Sequence, residues 1–389
     1  MAANGMAVRR EHVLATVWIL AVAVASVEAT ALQSNNFLIF RTAWFNLQAG
    51  ADLYGPSTKH WDVFLYPPPF ALLFAPFASV PFLLGVLLWN GANAGALYWG
   101  LGRVLGADLA FAARAIVFMD TFGAMQIVQS NALVAGLMLL AVADLERRRE
   151  LRAAIAIAVG SAIKVFPLAI AAYAIFRPYR LPRFALVALA AAAIIIAAPL
   201  IVASPQELAD HYRAWGAMQR SDATARGFSL MFHLQLWFGM DWPNWPVQLA
   251  GIAILLAPLA RVALWGQERF RVRFLASVLM FCVLFNHRSE SATFVLAAAG
   301  IATWFAMADR NAVTWTVLAV AIIGTVLSSS EAMPHVIQER FFEPYRVKTL
   351  PVLFVWLLTQ VELWRAPRNT TSKFPSPGSP ARAPATSAP

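Results

Sequence analysis

Two short stretches of the sequence place a carboxylate close to cationic or hydrogen-bonding side chains. Asp62 follows His60 in KHWDVFLYPPP, and Glu290 follows His287 and Arg288 in FNHRSESATF. A carboxylate in such surroundings can accept the proton of an attacking hydroxyl group, and the planar guanidinium of Arg288 matches the geometry of phosphate. We predict Asp62 as the first and Glu290 as the second general-base candidate. The alternatives are an exposed loop carboxylate and an ion pair that closes a helix corner.

A second group of polar residues lies within or beside apolar runs. Lys164 is in the middle of the run 151–176, Asp120 is near the end of another run, and Gln129 and Asn131 begin a third. Polar groups are costly inside a membrane and are functional candidates there by default. We predict that these side chains contact a substrate. Lys164 could instead snorkel or bond open carbonyl groups, and Asp120 could pair locally.

Two further cations, Arg346 and Lys348, precede the last apolar run in EPYRVKTLP. They could hold a substrate phosphate or the headgroups of lipids, and the sequence favours neither.

The composition indicates which elements must position these residues. The chain has 389 residues, of which 60% are hydrophobic and 13% charged, with a mean hydropathy of +0.63. A soluble domain carries roughly 25% charged residues, so a soluble fold is excluded. The net charge of +10 comes from arginines clustered between apolar runs, which is the positive-inside pattern of membrane proteins and not a nucleic-acid groove. We predict an all-α, polytopic membrane protein with external loops and re-entrant segments.

Apolar runs recur along the whole chain at lengths near that of a membrane span. They cover approximately residues 13–31, 82–102, 111–127, 129–145, 151–176, 184–203, 246–265, 274–286, 291–308, 311–329 and 349–364. The arginine clusters place both termini inside and the external segments 32–65, 204–245, 286–290 and 330–348 outside. We expect one multi-spanning domain over residues 1–366. The Pro-, Ser- and Ala-rich remainder, 367–389, is predicted to be a disordered cytoplasmic tail.

Two segments do not fit simple spans. Residues 66–81 are short and rich in proline, which predicts a short helix that dips in from the outer face. Residues 151–176 have arginines on both flanks and contain Lys164 and Pro167. We predict two half-helices with both ends inside, because non-helical backbone at this depth is tolerated only beside a protein-lined or watery cavity.

Four stretches, taken together and in this order, resemble glycosyltransferase family 87, the polyprenyl-phosphate-mannose-type membrane enzymes of the GT-C class. They are Asn35–Pro56, which ends in Gly-Ala-Asp-Leu-Tyr-Gly-Pro, Phe64–Pro81 with its Tyr-Pro-Pro-Pro run, Gln129–Ala141 and Ser161–Ile170. Directly before the third stretch Val128 stands where the family has a glycine, and in the fourth Val165 stands where it has a proline.

The resemblance implies transfer of a hexose, with mannose as the first choice, from a polyprenyl-phosphate donor to a lipid or glycan acceptor. The family's early external aspartate corresponds here to Asn36, which cannot take a proton at neutral pH. Either another carboxylate is the base, or the chemistry is lost or different. The residues predicted to bind substrate are Asn36, Arg41, His60, Tyr66, Asp120, Gln129, Asn131, Lys164, His287, Arg288, Arg346 and Lys348.

Other classes of function remain open at this point. A transporter or flippase for lipid-linked sugars, or a non-catalytic binder, would share the hairpin, the intramembrane Lys164 and the missing aspartate. No cofactor, nucleotide or metal motif occurs in the sequence, so we predict no cofactor and no metal site. The expected partners are the lipid-linked donor, the acceptor and the membrane, with no nucleic acid. The expected location is the inner (plasma) membrane, with the site on the external or periplasmic side.

Overall fold

The computed structural model describes residues 2–326 and 335–367, which are mostly helical and contain no β-strand. The α-helices are α1 (Ala2–Ala31), α2 (Asn35–Gln48), α3 (Pro68–Leu73), α4 (Ala75–Ala78), α5 (Phe82–Leu105), α6 (Ala107–Gln126), α7 (Asn131–Glu146), α8 (Glu150–Ile163), α9 (Leu181–Ala197), α10 (Pro205–Ser221), α11 (Leu230–Phe238), α12 (Asn244–Leu256), α13 (Glu268–Leu284), α14 (Phe294–Met307), α15 (Ala312–Val326), α16 (His335–Ile337), α17 (Glu343–Tyr345) and α18 (Thr349–Arg365). The predicted all-α, polytopic class is confirmed.

Local sequence explains where several helices begin and end. Gly106 has φ +75° and closes α5, a conformation that favours glycine. Before α10, the Ser204 hydroxyl accepts from the backbone N–H of Glu207, and the Glu207 carboxylate accepts from that of Ser204. This capping box satisfies helix N–H groups that would otherwise lack partners.

The long helices run between two ends of one bundle. At the first, called here the arginine-rich end, Arg271 pairs with Glu146 and Arg103 pairs with Asp144. At the second, the cavity end, Asn36 bonds to Ile127. The large buried side chains, including Trp89 and Trp304, form the core between the two ends.

The predicted hairpin is present and both of its ends lie at the arginine-rich end. It consists of α8 and a 3₁₀ segment, Phe166–Phe176, joined at Lys164, whose backbone is extended. Glu146, just before the hairpin, pairs with Arg177 just after it, and Glu150 pairs with Arg180. These ion pairs hold the beginning and the end of the hairpin next to each other. Lys164 is therefore at the tip of the hairpin, at the cavity end of the bundle.

In the described part of the chain, three helices are long and apolar enough to cross a bilayer: Val8–Ala31, Pro178–Ile201 and Gln338–Arg365. Further apolar helices are shorter, such as Asn244–Ala260 and Ser291–Met307. The expected count of about eleven membrane-associated segments therefore stays a prediction, and so does the orientation. The predicted short helix in residues 66–81 appears as α3 and α4.

The predicted external segments are more helical than their composition suggested. Segment 32–65 contains α2, and segment 204–245 contains α10 and α11. The boundary predicted at residue 366 falls one residue before the end of the described chain, so the tail prediction lies outside the described residues.

Candidate active site

A cavity of about 880 Å³ opens at the cavity end of the bundle. It is surrounded by the start of α2, the segment before α3, the hairpin tip, the end of α10 and the corner between α13 and α14. Predicted site residues that line it are Asn36, Asp62, Tyr66, Gln129, Lys164, His287, Arg288 and Glu290. The structure thus brings together both predicted carboxylates and three of the predicted basic side chains.

The corner that carries Glu290 is held by an extended segment beside it. The backbone N–H of Gly227 donates to the carbonyl of His287 at 2.6 Å, and that of Phe228 donates to the carbonyl of Ser289 at 2.7 Å. At Gly227 an added Cβ would lie 2.2 Å from the carbonyl oxygen of Ser289. The glycine is therefore required for this close approach of two backbones.

The Glu290 carboxylate caps the turn that leads into α14. The carboxylate accepts from the backbone N–H of Thr293, and the backbone N–H of Glu290 donates to the Thr293 hydroxyl at 3.1 Å. A negative charge at this position is favoured by the dipole of the following helix. The Gln129 side-chain amide approaches the same carboxylate at 3.5 Å, and Glu290 is otherwise exposed to the cavity.

Arg288 and His287 present polar groups from the same corner. Arg288 forms an ion pair of 2.5 Å with Asp222, which also lines the cavity. The Nδ1 atom of His287 faces the amide nitrogen of Gln248 at 3.5 Å, and its buried Nε2 atom has no hydrogen-bond partner among the described residues. Burial and then the Arg288 charge lower the pKa of His287, so the imidazole is neutral near pH 7.

Lys164 reaches the cavity from the hairpin tip. Its ammonium donates to the side-chain carbonyl of Asn131 at 2.8 Å and lies 5.9 Å from the ring centre of Tyr66. Asn131 is fully buried at the start of α7 and does not itself line the cavity. It acts on the site through Lys164.

Val128 occupies a strained position beside this group. Its φ of +54° is in the left-handed region and its side chain is fully buried. A β-branched residue with positive φ is a genuine outlier. The strained turn directs the Gln129 side chain toward Glu290. The positive φ also explains the glycine at this position in the family that the sequence resembles.

Asn36 and Asp62 also line the cavity. The Asn36 amide nitrogen donates to the carbonyl of Ile127 at 2.7 Å. Asp62 is exposed to the cavity, and its Oδ1 atom accepts from the backbone N–H of Val63 at 2.8 Å. Its neighbour Trp61 is 85% exposed and borders the cavity mouth. One carboxylate oxygen of Asp62 thus has a fixed orientation while the residue stays accessible.

One side of the cavity is apolar. The lining side chains on that side are Ile163, Val165, Phe166, Leu168, Ala169, Ile252, Phe281 and Phe285. Val165 and Leu168 are half exposed. The hairpin and the helices α12 and α13 thus supply an apolar surface to the cavity.

Besides Asn131, five predicted site residues do not line the cavity. His60 bonds to the Asp62 carbonyl, and Arg41 lies against the ring of Phe45. Arg346 binds backbone carbonyls of the segment beside the corner, those of Arg226 and Gly227.

The remaining two, Asp120 and Lys348, form a buried ion pair of 3.1 Å. This arrangement gives no support to their predicted contact with substrate. Asp120 is paired, as in the alternative considered from the sequence, but its partner is distant in the sequence.

The sequence did not single out several side chains that line the cavity: Asn35, Gln126, Gln219, Asp222 and Gln248. Each is an ordinary polar residue near the end of a helix, and no local motif marks it. Among residues 2–326 and 335–367, no three His, Cys, Asp or Glu side chains converge in a way that could hold a metal ion.

Comparisons with known proteins add a family and a similar structure. The model of glycosyltransferase family 87 matches residues 64–286, which is more than half of the chain. Among solved structures, ArnT from Cupriavidus metallidurans bound to undecaprenyl phosphate is 15% identical with a TM-score of 0.43, over 93% of this chain and 77% of that chain. No curated protein matches the sequence.

Proposed function

This chain belongs to glycosyltransferase family 87, and from that premise we propose that it transfers a hexose from a polyprenyl-phosphate donor to a lipid or glycan acceptor. Mannose is the proposed sugar. The proposed site is the cavity, facing the external or periplasmic side of the inner membrane, with both termini cytoplasmic. The concentration of arginines at the opposite end of the bundle supports this orientation.

One observation carries the proposal: a single cavity has an apolar side and a charged wall. The apolar side suits a polyprenyl chain, which gains free energy from leaving water. The charged wall holds Lys164 and Arg288, two cations that suit the donor phosphate. Asp62 and Glu290 provide carboxylates at the same cavity.

The proposed reaction needs one proton acceptor. The acceptor hydroxyl oxygen attacks the anomeric carbon of the donor sugar, and the bond from that carbon to the phosphate oxygen breaks. The electron pair leaves with the polyprenyl phosphate, whose charge Lys164 and Arg288 balance. The proton passes to the carboxylate of Asp62, with Glu290 as the second candidate. Asn36 is held by Ile127 and takes no part in proton transfer.

The test is transfer by the purified protein in lipid nanodiscs, with radiolabelled polyprenyl-phosphate-mannose and a pool of membrane-lipid acceptors. We expect Asp62→Asn to lower kcat by about 10²–10⁴ and Glu290→Gln to lower it less. Asp210→Asn is the matched control, because Asp210 is an exposed carboxylate on α10 that pairs with Arg213 outside the cavity.

The other outcomes separate the rival functions. Full activity in Asp62→Asn with loss in Glu290→Gln would move the base to Glu290, and full activity in both would reject the general-base mechanism. Donor binding without transfer in the wild type would favour a non-catalytic binder. Movement of the labelled lipid across a vesicle membrane without transfer would favour a flippase.

A further inference from the structure

Behind the corner that carries Glu290, away from the cavity, lies the buried ion pair of Asp120 and Lys348. The Lys348 ammonium lies 3.1 Å from the Asp120 carboxylate, and each side chain is only 4% exposed. Neither residue lines the cavity. A substrate in the cavity therefore cannot contact either one.

The same ammonium is bonded directly to the corner. Lys348 donates to the backbone carbonyl and to the hydroxyl of Ser291, both at 3.3 Å. Ser291 follows Glu290 and begins the 3₁₀ turn Ser291–Thr293, which the Glu290 carboxylate caps from the other side. The turn is thus fixed by Lys348 on one side and by Glu290 on the other.

The pair also joins three elements that meet at this point. Asp120 belongs to α6, Lys348 directly precedes α18, and Ser291 leads into α14. The ammonium of a lysine is at the end of a flexible side chain and can adopt many orientations. The Asp120 charge selects the one that reaches Ser291.

We propose that Asp120 and Lys348 are positioning residues, which hold the Glu290 carboxylate at the cavity by fixing the backbone of Ser291. The inference rests on the proposed function for its effect on transfer. Its effect on the corner itself does not depend on that function.

The experiment replaces both charges with apolar side chains of similar size, Asp120→Leu with Lys348→Met. Such a double replacement removes both charges of the pair together, so the protein is expected to fold. The matched control is Arg273→Met with Glu362→Leu, which removes a partly buried pair at the arginine-rich end. Both proteins are assayed for transfer, melting temperature and amide hydrogen exchange.

We expect the Asp120/Lys348 double variant to lower kcat by about ten- to a hundredfold, the range for a small misplacement of a reacting group. The donor KM should change less than about twofold, since Asp222 holds Arg288 independently. The amide groups of residues 290–293 should exchange faster. The control double variant should show none of these changes.

Addition of Glu290→Gln is the decisive step. If the pair acts only through this carboxylate, the triple variant has the same kcat as Glu290→Gln alone. Additive losses, or wild-type kcat in a folded double variant, would overturn the proposal. Should the double variant not fold, Asp120→Asn keeps an oxygen for Lys348 and should lower kcat about threefold or more at unchanged KM. Unchanged kcat there overturns the proposal as well.

Failure of the proposed function gives a different result. If the wild-type protein transfers no sugar, the proposed function is wrong, and the exchange measurement alone decides the inference. Unchanged protection of residues 290–293 in the double variant would then overturn it, and faster exchange confined to them would support it.

Discussion

Gly227→Ala should impair the protein at a position where alanine would normally be harmless. The new Cβ would lie 2.2 Å from the Ser289 carbonyl oxygen, so the two backbones must separate by about 0.8 Å before the contact reaches even 3.0 Å. Hydrogen bonds of 2.6 and 2.7 Å between these segments would then lengthen to roughly 3.4–3.5 Å, beyond the normal range.

The expected cost follows from those two bonds. Each contributes about 0.5–1.5 kcal/mol, and the lower chain entropy of alanine in the unfolded state returns about 0.4–1 kcal/mol. The net loss is about 0.5–2 kcal/mol in the free energy of unfolding. Activity should fall further than stability, by up to about 10²-fold, because His287 and Glu290 lie on the displaced backbone.

The assay pairs melting temperature in detergent with the rate of sugar transfer. Gly95→Ala is the control, since Gly95 is in the middle of α5 and nothing lies within 4 Å of its added Cβ. That change should stabilise the helix by about 0.5–1 kcal/mol. Wild-type melting and transfer in Gly227→Ala would refute the interpretation of the backbone contact.

Three further predictions follow from the same structure. Arg288→Ala should weaken donor binding by about 1.5–3 kcal/mol, roughly ten- to a hundredfold in the donor Kd; an unchanged Kd would remove Arg288 from the phosphate site. Val128→Gly should be more stable than Val128→Ala by about 1 kcal/mol, because only glycine adopts a positive φ without strain, and the usual order, with alanine more stable, would contradict this. In a Cys282→Ser background, a cysteine at Ser57 should react with an impermeant thiol reagent in intact cells and one at Arg148 should not; labelling at Arg148 alone would reverse the proposed orientation.

Some parts of the site were predictable because their signal is local. Lys164 and Pro167 interrupt an apolar run that has arginines on both flanks, and a polar interruption there is expensive enough to indicate a hairpin. The polar residues within 286–290 indicated the corner between two helices for the same reason, since polar groups between two apolar runs are costly in a membrane. The hairpin is present in the structure and the corner lies at the cavity, whereas the prediction that both hairpin ends face inside stays a prediction.

Other contacts depend on packing that no local pattern reveals. Asp222 reaches Arg288, and Asp120 reaches Lys348, only because helices distant in sequence meet in the bundle. Considered one at a time, a buried cation such as Lys348 resembles a phosphate ligand. Its burial against a carboxylate makes it part of the framework, and only the folded chain shows which partner it has.

The hairpin at Lys164 also determines the end of the bundle at which each later helix begins. Because it leaves and returns at one end of the bundle, it adds two segments without changing the side on which any later helix begins. A single crossing in its place would put the start of α9 at the opposite end, and every following helix would be inverted. Arg271 could then not reach Glu146, with which it makes contacts of 2.6 and 2.8 Å. The half of the protein that carries Glu290 therefore has the same orientation as it would have if α7 were connected directly to α9.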